Sequence, residues 1–247
     1  MAKDTLTAMG ITSENVAEKY GISRERQDRM AVQSHEKALK AQKAGLFKDE
    51  IVPVTVTVQD KDGNEKEVTV TADEGPKEGT TMEVLGKLKP AFKKGGSTTA
   101  GNASQVSDGA AAVILARRDF AEKNKLPILG VFRGFKAVGV DPALMGIGPL
   151  PAILSLSAAT GVKLDDVDVF EINEAFASQA SYVQDQLKIP DAKLNPLGGA
   201  IALGHPLGCT GARQTATLLH QLKRTGKKLG VVSMCTWRRE PALPRGD

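Results

Sequence analysis

The run VDVFEINEAFASQASYVQDQLK, residues 167–188, places a short apolar segment directly before an amphipathic one. The apolar residues 167–172 predict a strand, and the residues from 174 to 188 predict a helix. Asn173 and Glu174 stand at the junction, where ligands commonly bind beyond the carboxyl ends of parallel strands. Both polar side chains therefore lie at the carboxyl end of a predicted strand. Asn173 is a candidate functional residue there, although it could instead merely cap the helix.

The same alternation of strand and helix continues on both sides of this run. Apolar strand patterns cover ILGVFRGFKAVG (128–139) and KLGVVSMC (228–235). Helical patterns cover PLPAILSLSAAT (149–160) and ARQTATLLHQLKRTG (212–226). Alternating elements of this kind predict a layered α/β fold with parallel strands and right-handed crossovers.

Residues 1–94 have a different character. Helical patterns end at Gly21 and Gly45, and residues 50–75 alternate valine with polar residues around an Asp62–Asn64 turn, which predicts a hairpin. The outer faces of the helices are strongly charged. We expect residues 1–94 to form an appended, surface-exposed region.

Composition excludes several classes of protein. Of 247 residues, 41% are apolar and 25% are charged, as in ordinary globular proteins. The sequence has no apolar run long enough to span a bilayer, no targeting peptide and no metal-ligand spacing. Two cysteines favour a reducing compartment, and a net charge of +4 with 4% aromatic residues argues against nucleic-acid binding.

A glycine-rich loop, NPLGGAIALGHPLGCTGAR (195–213), carries one of the three histidines. Its glycines let a ligand approach the backbone, and Pro206 fixes the chain just after His205. His205 could act as a general base or polarise a carbonyl. Alternatively, its ring nitrogens could simply form hydrogen bonds within the loop, without a catalytic role. A Cys209–His205 dyad is disfavoured by the intervening Pro206 and Gly208, so we expect Cys209 to be a small buried residue at a helix start.

Two further stretches carry candidate residues. Cys235 ends the last predicted strand, at an edge where ligands bind, although its apolar neighbours also fit a buried, inert thiol. The loop GGSTTAGNASQVSDGA (95–110) is rich in small residues and leads into an apolar, strand-like run. Such a loop could let a long ligand lie along the backbone, or it could be a flexible connection.

The motifs TTAGNASQVSDGAAAV, NEAF, GHPLG and VVSMC together resemble the thiolase family, in particular degradative 3-ketoacyl-CoA thiolases of the peroxisomal type. The resemblance spans residues 1 to about 235. It implies a thiolase-like layered fold with part of an inserted loop domain, and thiolytic cleavage of 3-ketoacyl-CoA to acetyl-CoA and a shortened acyl-CoA in fatty acid β-oxidation. Coenzyme A would be a substrate, with no further cofactor and no metal. The location would be the peroxisome, and the full-length form would be a homodimer.

The resemblance also implies roles for individual residues. His205 would activate a nucleophilic thiol and bind the thioester oxygen, Asn173 would hold a water as a second donor, and Cys235 would be the acid/base cysteine. The implied CoA-binding and acyl-binding positions are Met9, Ala100, Gly101, Ser104, Met145 and Phe176.

Two departures from the family pattern matter. Neither Cys209 nor Cys235 lies in the motif of the family's nucleophilic cysteine, and Thr236 and Trp237 replace the family's C-x-G continuation after Cys235. We therefore expect a partial loop domain over 1–94, a C-terminal thiolase half over 95–235 without its final strand, and an aberrant coil tail over 236–247. The chain alone should be impaired in catalysis. The alternatives are a non-catalytic CoA-binding or dimerisation fragment and an unstable fragment with no function of its own.

Overall fold

A computed structural model of the chain describes residues 6–236. The helices are α1 (Met9–Tyr20), α2 (Arg24–Lys43), α3 (Met82–Gly86), α4 (Arg118–Lys123), α5 (Pro149–Thr160), α6 (Ala177–Leu187), α7 (Ala200–Leu203) and α8 (Thr210–Thr225). The strands are β1 (Val54–Gln59), β2 (Glu65–Val70), β3 (Val169–Ile172) and β4 (Gly230–Ser233), and 3₁₀ helices cover Pro142–Ile147 and Leu164–Asp166. No helix within these bounds combines the length and apolar character that crossing a membrane requires.

The predicted βα unit is confirmed. β3 pairs in parallel with β4, from Val169 opposite Gly230 to Ile172 opposite Ser233. All four residues of β3 are buried, as expected for a strand covered on both faces. Helix α8 packs on both strands, α5 packs on β4, and α6 packs against α1, α2 and α5. The result is a layered α/β arrangement around a short parallel sheet.

The N-terminal helices differ from our expectation. The hairpin β1–β2 is exposed as predicted, but α1 and α2 are not appended surface helices. Val16 and Ala31 are fully buried in the main core cluster, which also contains Met30. Because the buried positions of α2 are mainly small or polar, its hydrophobic pattern understates how closely it packs.

The predicted strand 128–139 does not form. Among the described residues this segment has no regular secondary structure and pairs with neither β3 nor β4. Phe132 and Phe135 are 72% and 74% exposed. Apolar alternation predicts the conformation of a strand but does not specify its pairing partner, and in the described sheet β3 and β4 pair only with each other. The strand-like run after the 95–110 loop is likewise irregular and exposed up to Arg117. In the predicted tail only Thr236 is described.

The core around β3 predicts a clear difference between two isoleucines. Ile172 is fully buried, whereas Ile114 is 89% exposed. Ile172→Ala should lower the free energy of unfolding by about 2–5 kcal/mol, because it removes buried methyl groups and leaves a cavity. Ile114→Ala, the matched control, should change it by less than about 0.5 kcal/mol. Urea denaturation of both variants measures the difference, and equal losses would contradict the described core.

Candidate active site

Asn173 and Cys235 lie at the same edge of the parallel sheet. Asn173 follows the last residue of β3, and its backbone N–H donates to the Ser233 carbonyl at 2.9 Å. Cys235 follows β4 by two residues. The parallel register therefore brings the amide and the thiol to the carboxyl ends of neighbouring strands, where α/β sheets bind ligands.

The side chain of Asn173 does not cap α6. The residue preceding α6 is Phe176, and no side chain caps the helix. The Asn173 amide is fully buried, and neither its oxygen nor its nitrogen has a hydrogen-bond partner within residues 6–236. A buried amide without a partner costs free energy, so such groups in native proteins usually serve a ligand or water.

The thiol of Cys235 is buried and protonated at neutral pH. Its backbone lies beside Gly148, at the end of the 3₁₀ helix that carries Met145. Burial raises the pKa of the Cys235 thiol to about 11. A group of this kind can supply a proton to a neighbouring anion, and it becomes a thiolate only when a partner stabilises the charge.

His205 is half-buried and anchored through one ring nitrogen. Its Nδ1 lies 2.7 Å from the Thr210 Oγ1, at the start of α8. Burial lowers the pKa of His205, and the nearby charge of Arg213 lowers it further. The imidazole is therefore neutral at physiological pH. The bond to Thr210, rather than one to Cys209, anchors the ring. Cys209 itself is buried and directly precedes α8, as predicted.

The segment 102–107 joins the β3–α6 loop to the loop of His205. Ser104 N–H donates to the Ala175 carbonyl at 2.9 Å, and Ala103 forms an isolated antiparallel bridge with Phe176. Two residues on, the Gln105 carbonyl lies 3.5 Å from the His205 backbone nitrogen. Ser104, Phe176 and His205 are thus brought to one region by the strand-like path of this segment.

The remaining predicted binding positions lie on other segments of the chain. Gly101 packs against Leu85 and Leu88, where a Cβ would come within 2.6 Å of each side chain, and Ala100 is exposed. Met9 begins α1, which packs on the 3₁₀ helix of Met145. A cavity of about 500 Å³ lies elsewhere, against α2 and the C-terminal end of α6, and none of the predicted site residues lines it.

Glu174 organises the site, a role that the sequence reasoning missed. Its buried carboxylate accepts hydrogen bonds from Ser34 Oγ at 2.6 Å, Asn195 Nδ2 at 2.7 Å and Ile201 N–H at 3.3 Å. Burial raises the pKa of Glu174, and these hydrogen bonds oppose the rise. The carboxylate ties α2 to the first half of the glycine-rich loop, at Asn195 and Ile201. An acidic residue directly after a buried strand was the available signal.

A second buried carboxylate, Glu171, lies within β3 and is poorly compensated. Among the described residues its oxygens accept no hydrogen bond, and the nearest cation, Arg213 Nη1, is 3.8 Å away. Burial raises the pKa of Glu171 to about 8, although Arg213 opposes the shift. Glu50, which accepts from Thr217 Oγ1 at 2.9 Å, has its pKa raised to about 7 by burial.

The contact between Glu174 and the glycine-rich loop predicts that Gly199 tolerates no side chain. A Cβ on Gly199 would overlap the Glu174 carboxyl group, whereas one on Gly208 would meet nothing within 4 Å. Gly199→Ala should therefore cost about 1–3 kcal/mol of stability, through overpacking against a buried charge. Gly208→Ala in the same loop is the control and should be close to neutral. Thermal unfolding of both variants checks this, and a neutral Gly199→Ala would contradict the contact.

Glu171 predicts a pH-dependent loss of stability. Its pKa in the folded chain, about 8, exceeds its ordinary value of 4.5. The stabilisation that goes with this raised pKa is complete below about 4.5 and is lost as the pH rises through about 8. Glu171→Gln cannot ionise, so the stability of the variant relative to the unaltered chain should rise across this window. Denaturation at several pH values measures it. The stability of Glu65→Gln, in the exposed hairpin, should have the same pH dependence as that of the unaltered chain. A pH profile of Glu171→Gln parallel to that of the unaltered chain would refute the prediction.

Comparisons with known proteins agree on one family. Residues 1–119 match the model of the thiolase N-terminal domain, and residues 126–239 match that of the thiolase C-terminal domain. The chain is 63% identical over 235 residues to peroxisomal 3-ketoacyl-CoA thiolase of Homo sapiens, covering 95% of this chain and 55% of the relative. It is 59% identical over 237 residues to peroxisomal 3-ketoacyl-CoA thiolase 2 of Arabidopsis thaliana, covering 95% and 51%. The chain thus spans about half the length of the curated relatives it matches.

Solved structures show the same relationship. The acetyl-CoA acetyltransferase of Bacillus anthracis superposes with a TM-score of 0.88 at 46% identity, covering 92% of this chain and 57% of that one. The dimeric peroxisomal thiolase of Saccharomyces cerevisiae superposes with a TM-score of 0.84 at 53% identity, covering 95% and 57%. The fold is therefore the α/β thiolase fold, and the chain belongs to the thiolase family.

Proposed function

We propose that this chain carries the acyl-CoA-handling side chains of a 3-ketoacyl-CoA thiolase, an acetyl-CoA C-acyltransferase of fatty acid β-oxidation. The observation that carries the proposal is the buried amide of Asn173, which has no hydrogen-bond partner within residues 6–236 and follows β3 at the sheet edge where Cys235 follows β4. The 63% identity to peroxisomal 3-ketoacyl-CoA thiolases supports the substrate class. The reaction would cleave a 3-ketoacyl-CoA with CoA, giving acetyl-CoA and a shortened acyl-CoA.

Three residues would act on the reacting groups. The unpartnered Asn173 amide would hold a water at the thioester oxygen, and His205 would contribute a second polar contact there, so that negative charge developing on this oxygen meets hydrogen-bond donors. His205 would also take a proton from the attacking thiol. Cys235, protonated because burial raises its pKa to about 11, would donate its proton to the carbanion of the leaving acetyl-CoA.

The binding positions would hold the rest of the substrate. Ser104 and Phe176 lie on backbone segments that bond to each other, so the pantetheine arm would run along this junction. Ala100 and Gly101 lead into the same segment. Met9 and Met145, on elements that pack together, would border the acyl group with flexible apolar side chains.

Assembly and location are proposed from the relatives. The human relative is named a peroxisomal thiolase, and the solved Saccharomyces cerevisiae enzyme is a dimeric peroxisomal thiolase. We propose a peroxisomal location and a homodimer for this protein. CoA and its esters would be its ligands, without a metal or other cofactor.

A second candidate is a non-catalytic CoA-binding or dimerisation role for the chain alone. One observation favours it: both thiols, Cys209 and Cys235, are buried and have raised pKa values, with desolvation as the largest cause. Nucleophilic cysteines need a lowered pKa or an adjacent base. Neither thiol meets the first condition, and the ring nitrogen Nδ1 of His205 is engaged by Thr210.

Calorimetric titration with acetoacetyl-CoA tests the proposal. We expect saturable binding, weakened about tenfold by His205→Ala, because a hydrogen bond to a polarised oxygen is worth ~1.5 kcal/mol. His220→Ala in α8 is the matched control and should bind as the unaltered chain does. Binding that is absent, or unaffected by His205→Ala, would contradict the proposed site.

A thiolysis assay on the same samples separates the two candidates. Saturable binding without turnover indicates a CoA-binding chain whose nucleophile is not among its two cysteines. Turnover that His205→Ala abolishes would show that Cys209 or Cys235 can serve as nucleophile, which would overturn the second candidate.

A further inference from the structure

Thr210 is the direct ring partner of His205. Its Oγ1 lies 2.7 Å from Nδ1 and 3.0 Å from the carbonyl oxygen of Pro206. Thr210 is fully buried as the first residue of α8. A threonine hydroxyl carries one proton and two lone pairs, so it can donate to only one of these two acceptors at a time.

The Pro206 carbonyl has less need of that proton. It already accepts the backbone N–H groups of Cys209 at 2.8 Å and Thr210 at 3.0 Å, one for each lone pair. The imidazole Nδ1 lies closer to the hydroxyl than the carbonyl does, at a separation typical of a hydroxyl donor. Donation of the hydroxyl proton to Nδ1 is therefore more favourable than donation to the Pro206 carbonyl.

We infer that Thr210 is the positioning residue of His205: its hydroxyl donates to Nδ1 of the neutral ring and so places the imidazole proton on Nε2. When the ring becomes a cation, Nδ1 also carries a proton, and the hydroxyl turns its own proton to the Pro206 carbonyl and accepts from Nδ1. Rotation of the buried Thr210 hydroxyl thus provides a hydrogen bond to both the neutral and the cationic His205 ring without movement of a heavy atom.

The packing keeps this arrangement in place. The first turn of α8 holds the Thr210 backbone, and a β-branched side chain has few rotamers available in a helix. Pro206 fixes the backbone directly after His205. Gly204, with φ of 88° and its Cβ position against the Ser107 side chain, sets the turn before it.

The inference deepens the proposed function. It rests on that function only for the catalytic role of the Nε2 proton, and the position of the proton is argued independently. In that function the neutral ring would present an N–H donor to the thioester oxygen as binding begins. Proton uptake from a thiol would require the alternative orientation of the Thr210 hydroxyl. Thr210 would then determine which of the two roles His205 is ready to perform.

Nitrogen-15 NMR of the full chain with labelled histidine tests the inference without any substrate. The chain has three histidines, and His205→Ala identifies the signals of His205. His35 is an internal reference for the same tautomer, because its Nδ1 accepts the Lys77 backbone N–H at 3.1 Å. Spectra are recorded well above the ordinary pKa of histidine, and then through a pH titration.

The expected result has two parts. In the unaltered chain His205 should show a protonated Nε2 and a hydrogen-bonded, unprotonated Nδ1. Thr210→Val, which keeps the shape and removes the hydroxyl, should move the Nδ1 shift to that of a nitrogen without a partner. It should also lower the titration midpoint of His205, because the Nδ1 proton of the cation would face methyl groups. Thr210→Ser should restore both properties, while His35 stays unchanged and reports that the fold is intact.

Two results would overturn the inference. One is a proton on Nδ1 of neutral His205 in the unaltered chain. The other is a Thr210→Val chain in which the Nδ1 shift and titration midpoint of His205 match those of the unaltered chain. Neither depends on CoA binding, so failure of the proposed function, seen as absent binding in calorimetry, remains distinguishable.

Discussion

The buried carboxylate of Glu174 is the constraint on which the site depends. A carboxylate removed from water must be matched by hydrogen-bond donors, and here they come from Ser34, Asn195 and the Ile201 backbone. These donors belong to α2 and to the glycine-rich loop, so satisfying one carboxylate joins elements far apart in the sequence. The close approach of Gly199 to the same carboxylate explains why a residue without a side chain is needed at that point of the loop.

Around this anchor, the three proposed acting groups are held in different chemical states. The buried amide of Asn173 has no hydrogen-bond partner among the described residues. Cys235 retains its proton because burial raises its pKa. His205 is neutral because burial and the charge of Arg213 lower its pKa. None of them carries a charge at neutral pH. A neutral site suits a thioester, whose negative charge appears only as the reaction proceeds, since donors already in place need not reorganise.

The sequence predicted the parts of the fold that depend on local pattern. The βα unit at 167–188, the exposed hairpin and the buried start of α8 are confirmed. The strand expected at 128–139 is wrong, because apolar alternation does not report whether a partner edge exists. The burial of α1 and α2 was missed because alanine and polar residues occupy their contacts. In the site, motif resemblance proposed Asn173, His205 and Cys235. It did not propose Glu174, whose partners Ser34 and Asn195 are distant in the sequence, or Thr210, which meets His205 through the local fold of the glycine-rich loop.

The central claim is that three segments distant in sequence, 101–107, 173–177 and 204–210, form one site for a CoA thioester. Hydrogen–deuterium exchange of the chain with and without acetoacetyl-CoA tests it most directly, because exchange reports on each segment separately. We predict that the ligand slows exchange in all three segments together and leaves the exposed hairpin β1–β2 unchanged. Protection confined to the cavity lined by Arg26, Arg29 and Lys188, or to one segment alone, would contradict it.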